Sequence, residues 1–158
     1  MKKKLSIVLT VLLLTLTAQS AFASDRIESV QVEQLPDGSC FVTVIEDVPQ
    51  IETQTMAAKT TTKTKSKSVY YKNASGEVMW WVKVTGTFTY GNGTSKCTKA
   101  IPSAGSEKNS WKVSGLTGSK MGGTAIAKAT GKQYTNGKVT QTITKTAILN
   151  CSPTGIFS

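Results

Sequence analysis

From Val78 to Tyr90 the chain alternates residue by residue. Val78, Trp80, Val82, Val84, Phe88 and Tyr90 fall on one face, and Met79, Trp81, Lys83, Thr85, Thr87 and Thr89 fall on the other. Successive side chains of an extended backbone point to opposite faces. A period of two sustained over a dozen residues therefore specifies a half-buried β-strand and excludes an amphipathic helix. Gly86 interrupts the apolar face, which points to a bulge or a closely approaching neighbour there.

Turn chemistry punctuates the rest of the chain. Pro36-Asp37-Gly38, Asn73-Ala74-Ser75-Gly76, Gly91-Asn92-Gly93 and Asn136-Gly137 each supply residues that tolerate positive φ or preset a turn, and Asn-Gly is a strong short-range hairpin signal. Between them the sequence predicts strands at Arg26–Leu35, Cys40–Ile45, Lys63–Tyr71, Lys96–Ile101, Trp111–Val113, Thr124–Tyr134 and Val139–Asn150. Gly118–Gly123 reads as a glycine-rich loop. Short strands at this spacing predict an all-β chain, an antiparallel β-sandwich (immunoglobulin-like or similar) or a small barrel. Trp111, lying between two cysteines, is the feature shared with an immunoglobulin core.

Charge divides the chain at one boundary. Seven of the nine acidic residues lie between Asp25 and Glu52, and fifteen of the eighteen lysines follow Met56. At the start, Lys2-Lys3-Lys4, the apolar run Leu5–Leu16 and Ala21-Phe22-Ala23 form the three parts of a secretory signal peptide. The apolar run is shorter than the roughly 20 residues a membrane-spanning helix needs. Four segments follow as expectations: a signal peptide at 1–23, an acidic hairpin or pro-segment at 24–55, a Thr/Lys-rich linker or edge strand at 56–67, and a basic β-sandwich at 68–158. Segment 24–55 sets Arg26 against seven acids, and segment 56–158 sets fifteen lysines against Glu77 and Glu107.

Export would permit disulfides. Of the three cysteines, Cys97 and Cys151 both lie in the basic segment and Cys40 in the acidic one. The expected pair is Cys97–Cys151, whose loop closure would disfavour the unfolded chain by roughly 4 kcal/mol in the entropy model.

The sequence contains no histidine. That removes the commonest general base, the commonest metal ligand and every Ser-His or Cys-His arrangement. There is no zinc-type cysteine spacing, phosphate-binding glycine loop or dinucleotide fingerprint. The expectation is a non-enzyme with no catalytic residues, no metal and no cofactor.

Surfaces then become the carriers of function. An exposed Trp81 beside Lys83 suits sugar stacking or a partner contact. Tyr70 and Tyr71 must divide, one inward and one outward, and Tyr71 joins the candidate surface. Lys63, Lys65 and Lys67 alternate with hydroxyls in the tract Thr60–Ser68. These six residues form the candidate binding set for an anionic polymer or glycan of a cell wall or host surface. Nucleic acid is not expected, because the basic segment has no arginine fork for bidentate phosphate contacts.

The stretches Ser68–Gly76, Trp81–Tyr90, Ser95–Thr98 and Leu149–Ser152 resemble a group of small secreted proteins of Gram-positive, clostridial-type bacteria. The resemblance spans roughly residues 65–155. It implies a secreted β-rich domain with a cysteine pair, and it brings no activity or site residues with it. Two functions are expected from all this. One is a secreted, extracellular, non-catalytic binding domain. The other is a precursor in which the acidic segment is removed from a cationic, bacteriocin-like effector.

Overall fold

The computed structural model describes residues 26–49 and 60–158. The expected signal peptide lies outside the described residues. Eight strands run in chain order: β1 (Ile27–Gln34), β2 (Cys40–Asp47), β3 (Thr61–Lys72), β4 (Val78–Gly91), β5 (Thr94–Ser106), β6 (Trp111–Met121), β7 (Thr124–Thr135) and β8 (Lys138–Asn150). They form two antiparallel sheets, β1-β2-β3-β4-β5 and β6-β7-β8, each in sequential order. Among the described residues there is no α-helix, and no helix long and apolar enough to cross a membrane. The meander order differs from the Greek-key order of an immunoglobulin domain.

The two sheets meet through shape. From β4 come Trp80, Val82, Val84 and Phe88, each essentially buried. Opposite them β7 presents Ala125, Ala127, Ala129 and Gly131, all buried. Large residues on one sheet thus fill the space left by small ones on the other, which is how native packing density is reached. A Cβ on Gly131 would lie 2.5 Å from the Trp80 ring, so the indole requires that glycine. At Gly86 an added Cβ would meet the Phe88 ring and the Ala125 methyl. The register also shifts between Thr87 and Phe88. Both the close neighbour and the bulge expected near Gly86 are therefore present.

The acidic hairpin is part of the larger sheet. Strand β2 pairs with β3 from Cys40↔Lys72 to Asp47↔Lys65. Its inward side chains Phe41 and Ile45 are buried in the core cluster, and Phe41 stacks at 5.3 Å from Tyr71. Strand β1 adds less, because Val30 and Val32 point outward and are more than half exposed.

Three expectations need correction. The tract 61–67 is not an edge strand, and the strand expected from Lys63 already begins at Thr61. It forms the start of β3, hydrogen-bonded between β2 and β4, and its hydroxyls are used there: Thr64 Oγ1 lies 2.8 Å from Thr87 Oγ1, and Ser66 donates to Glu46 at 3.0 Å. The expected loop Gly118–Gly123 is strand as far as Met121. Gly118 is needed there because Pro102 packs where its Cβ would stand. Strand β5 runs on through Pro102 to Ser106 because β5 is the sheet's edge, where a missing N–H breaks no ladder bond.

The two ends of the sandwich differ. At one end residues 151–158 fold back through a Cys151↔Phe157 bridge. Phe157 plugs that end, 5.4 Å from Phe88 and 6.2 Å from Tyr90. At the other end a polar cavity of about 160 Å³ opens between the turns.

Candidate functional site

The six expected binding residues do not form one surface. In β4, Trp81 is half-buried on the outer face, its Nε1–H donating to Glu107 Oε1 at 3.1 Å. Its neighbour on that face, Lys83, is held by Glu46 at 2.8 Å. Tyr71 points the other way and is buried in the core. Lys65 is buried at 5% exposure, with Nζ 2.7 Å from Glu28 and 3.1 Å from Asp47. Lys67 is half-buried in register between Ile45 and Val84, and burial lowers its pKa. Of the three tract lysines, Lys63 alone is exposed.

The acidic hairpin thus reaches three lysines of the basic body. Glu28 and Asp47 hold Lys65, Glu46 holds Lys83, and Glu33 holds Lys145 at 2.9 Å. The Lys145 ammonium also sits 3.8 Å from the centre of the Phe41 ring. Lys145 therefore ties β8 of the second sheet to both strands of the hairpin. Burial works against the charge on Lys65, but its two carboxylates outweigh that and hold its pKa above the usual lysine range. The hydrogen bond from Lys83 lowers the pKa of Glu46.

Three lysines without an acid partner among the described residues lie together on the second sheet. No Asp or Glu follows Glu107, so strands β6–β8 contain no acid at all. Register places Lys112 beside Lys132 and beyond it Thr142, Ser114 beside Thr130 and Thr144, and Thr117 beside Lys128 and Thr146. These rows form the outer face of the three-stranded sheet. Lys112 and Lys128 are exposed and Lys132 is half-exposed. Lys112 and Lys132 stand directly opposite each other, an arrangement that costs stability in an antiparallel pair. Lys112 offsets some of that cost through the Tyr134 ring, 5.4 Å away. Sequence reasoning missed this face because it weighed lysines by local clustering. The signal was available in the acid-free stretch after Glu107.

The expected Cys97–Cys151 bridge is not formed; all three cysteines are thiols. Cys97 and Cys151 do come to one place, their N–H groups donating to the adjacent carbonyls of Gly122 and Gly123 at 2.6 and 2.8 Å. Each thiol instead donates to a backbone carbonyl, Cys97 to Lys99 at 3.2 Å and Cys151 to Ser152 at 3.4 Å. Burial raises the pKa of both, which keeps them protonated and weakly nucleophilic. Among the described residues no group of three His, Cys, Asp or Glu side chains is arranged to hold a metal ion. Glu77 and Glu107, the two acids of the basic segment, are spent on structure: Glu77 pairs with Lys108 at 2.6 Å and Glu107 accepts from Trp81.

In comparisons with family models, curated proteins and solved structures, the chain matches none.

Proposed function

We propose that this protein is a secreted, non-catalytic β-domain that binds an anionic polymer or acidic glycan of a cell wall or host surface. The contact is the outer face of the three-stranded sheet. The observation behind this reading is Lys112 opposite Lys132, with Lys128 nearby and no acid in β6–β8. A face with three ammonium groups and rows of threonine hydroxyls offers charge attraction and hydrogen bonds to a polyanion together. The signal-peptide pattern of residues 1–23 supplies the extracellular location.

The hairpin belongs to this reading as a permanent part. Its acids neutralise Lys65, Lys83 and Lys145 and none of them pairs with Lys112, Lys128 or Lys132. Its buried Phe41 and Ile45 speak for retention of the hairpin rather than release as a pro-segment.

The test is binding to purified teichoic acid and to heparin at rising salt. Affinity is expected to fall steeply as the Debye length shrinks from about 10 Å at 0.1 M. The double substitution Lys128→Glu, Lys132→Glu is expected to weaken binding by more than about tenfold. Binding that ignores both salt and the double substitution would remove this face from consideration.

A further inference from the structure

The two sheets end in four edge strands, β1 and β5 on the larger sheet and β6 and β8 on the smaller. An edge strand turns a row of unpaired N–H and C=O groups outward, and that row is a template for another strand. Three of the four edges carry features that oppose such pairing. Strand β5 has Pro102, Lys96 and Lys99. Strand β6 has Lys112, Lys120 and a register shift between Ser114 and Thr117. Strand β8 has Lys138 and Lys145, and Lys145 is tied across to the hairpin. Strand β1 reads Ile-Glu-Ser-Val-Gln-Val-Glu-Gln, with neither lysine nor proline. Its one irregularity lies at its start, between Ile27 and Ser29; from Ser29 to Gln34 it pairs residue by residue with β2. Among the described residues no strand pairs with its other side.

Charge and polarity also set this edge apart. Both acids of β1 are engaged, Glu28 with Lys65 and Glu33 with Lys145. The edge is therefore close to neutral on a chain whose formal net charge is +10. Copies of a cationic protein repel where their lysines meet, and at β1 they can approach. The edge is apolar as well: Ile27, Val30 and Val32 are each half-exposed or more. Val30 stands beside Val44 and Val32 beside Val42, so a valine stripe crosses the outer face of the hairpin and reaches its edge.

The sequence of β1 is complementary to itself. Residues directly opposed in an antiparallel pair share a face of the sheet. With Gln31 on a twofold axis, Val30 stands opposite the partner's Val32, and Val32 opposite the partner's Val30. Ser29 then faces the partner's Glu33, and Glu28 the partner's Gln34, so no two carboxylates are opposed.

We propose that β1 is the docking edge for a second copy of this chain, which adds antiparallel, β1 to β1, and joins the two larger sheets into one. A single strand pair buries less than the roughly 1,200 Å² at which standard stable interfaces begin, so the dimer is weak and exchanges with monomer. The pairing uses neither the lysine face nor a polyanion.

The test is sedimentation velocity of the full chain, without polyanion, from about 10 μM to about 1 mM, the range of weak association. The sedimentation coefficient is expected to rise with concentration toward that of a dimer. Val30→Lys combined with Val32→Lys sets like charges opposite each other across the pair and is expected to weaken association about tenfold or more. Val30→Glu combined with Val32→Glu is expected to do the same. Mixed at low salt, these two variants oppose unlike charges at both positions and are expected to associate again. Val139→Lys changes a valine of similar exposure (48%) on the β8 edge and is expected to leave association as it was. Urea midpoints close to the parent's would show that the variants fold, as expected where both valines already face solvent. The proposal fails if the parent stays monomeric at about 1 mM, if the double lysine variant associates as well as the parent, or if Val139→Lys weakens association equally. A mixture of folded variants that does not associate would overturn the β1-to-β1 pair.

Discussion

The two sheets of this sandwich carry lysine in opposite ways. In the five-stranded sheet, Lys65 and Lys83 each face a carboxylate supplied by the β1–β2 hairpin. In the three-stranded sheet, Lys112, Lys128 and Lys132 face one another and threonine. Lys145 marks the border, on β8 but paired with Glu33 of β1. The difference shows what a charge split along a chain becomes after folding. Segment 24–55 does not neutralise the basic segment uniformly. Its described strands β1 and β2 pair into one sheet, and their acids hold Lys65, Lys83 and Lys145 but not Lys112, Lys128 or Lys132. Lys65 and Lys83 of the first sheet are spent on ion pairs, whereas Lys112, Lys128 and Lys132 of the second have no acid on their strands.

The largest expected effect tests whether the hairpin is structural at all. Phe41→Ala removes a buried ring that touches Tyr71 and lies beneath the Lys145 ammonium. It is expected to cost about 3 kcal/mol or more in urea unfolding. Val32→Ala, on the outward face of the same hairpin at 55% exposure, is expected to stay within about 0.5 kcal/mol. Equal, small effects from both would mean that the hairpin is only loosely attached. The precursor reading would then gain over retention.

The second effect is pH-dependent and tests the compensated sheet. The Lys83 hydrogen bond lowers the pKa of Glu46 in the folded state from 4.5. A depressed carboxylate pKa stabilises the fold above the unfolded value, and that contribution is lost as pH falls through the folded one. Glu46→Gln is therefore expected to lower stability at pH 7 by up to about 1 kcal/mol, the upper end for a pair this solvent-accessible. Below pH 4.5 the variant and the parent are expected to converge. A constant gap from pH 7 down to pH 3 would show that Glu46 acts through packing rather than charge.

What the sequence disclosed follows from the range of each interaction. The alternation at Val78–Tyr90 and the turns at Asn73–Gly76 and Asn136-Gly137 are local signals, and they placed β3, β4, β7 and β8 nearly to the residue. The central position of the tract 61–67 was hidden because its polarity looks solvated. Ser66 and Ser68 are in fact buried, small side chains set between larger neighbours on β2 and β4. Lys65 was indistinguishable from Lys63 in sequence; only the return of Glu28 and Asp47 beside it separates the two. The end cavity was invisible for the same reason. Its walls come from residues as far apart as Asp37 and Gln141, and no local pattern joins them.

The smallest expected change in stability is the sharpest test of the uncompensated sheet, because its sign separates two kinds of lysine. Lys112 and Lys132 are direct cross-strand neighbours. Like charges in that position destabilise, and opposite charges there contribute roughly 0.2–1 kcal/mol. Lys132→Glu turns the repulsion into an attraction, so the variant is expected to unfold at higher urea than the parent. The same substitution puts a negative charge in the middle of the proposed polyanion surface and is expected to weaken teichoic acid binding at low salt. A residue kept for stability would lose stability when replaced; one kept for a ligand gives up binding and gains stability. If Lys132→Glu is destabilising and binding is unchanged, the lysine row of this sheet is a structural feature, and the contrast between the two sheets loses its functional meaning.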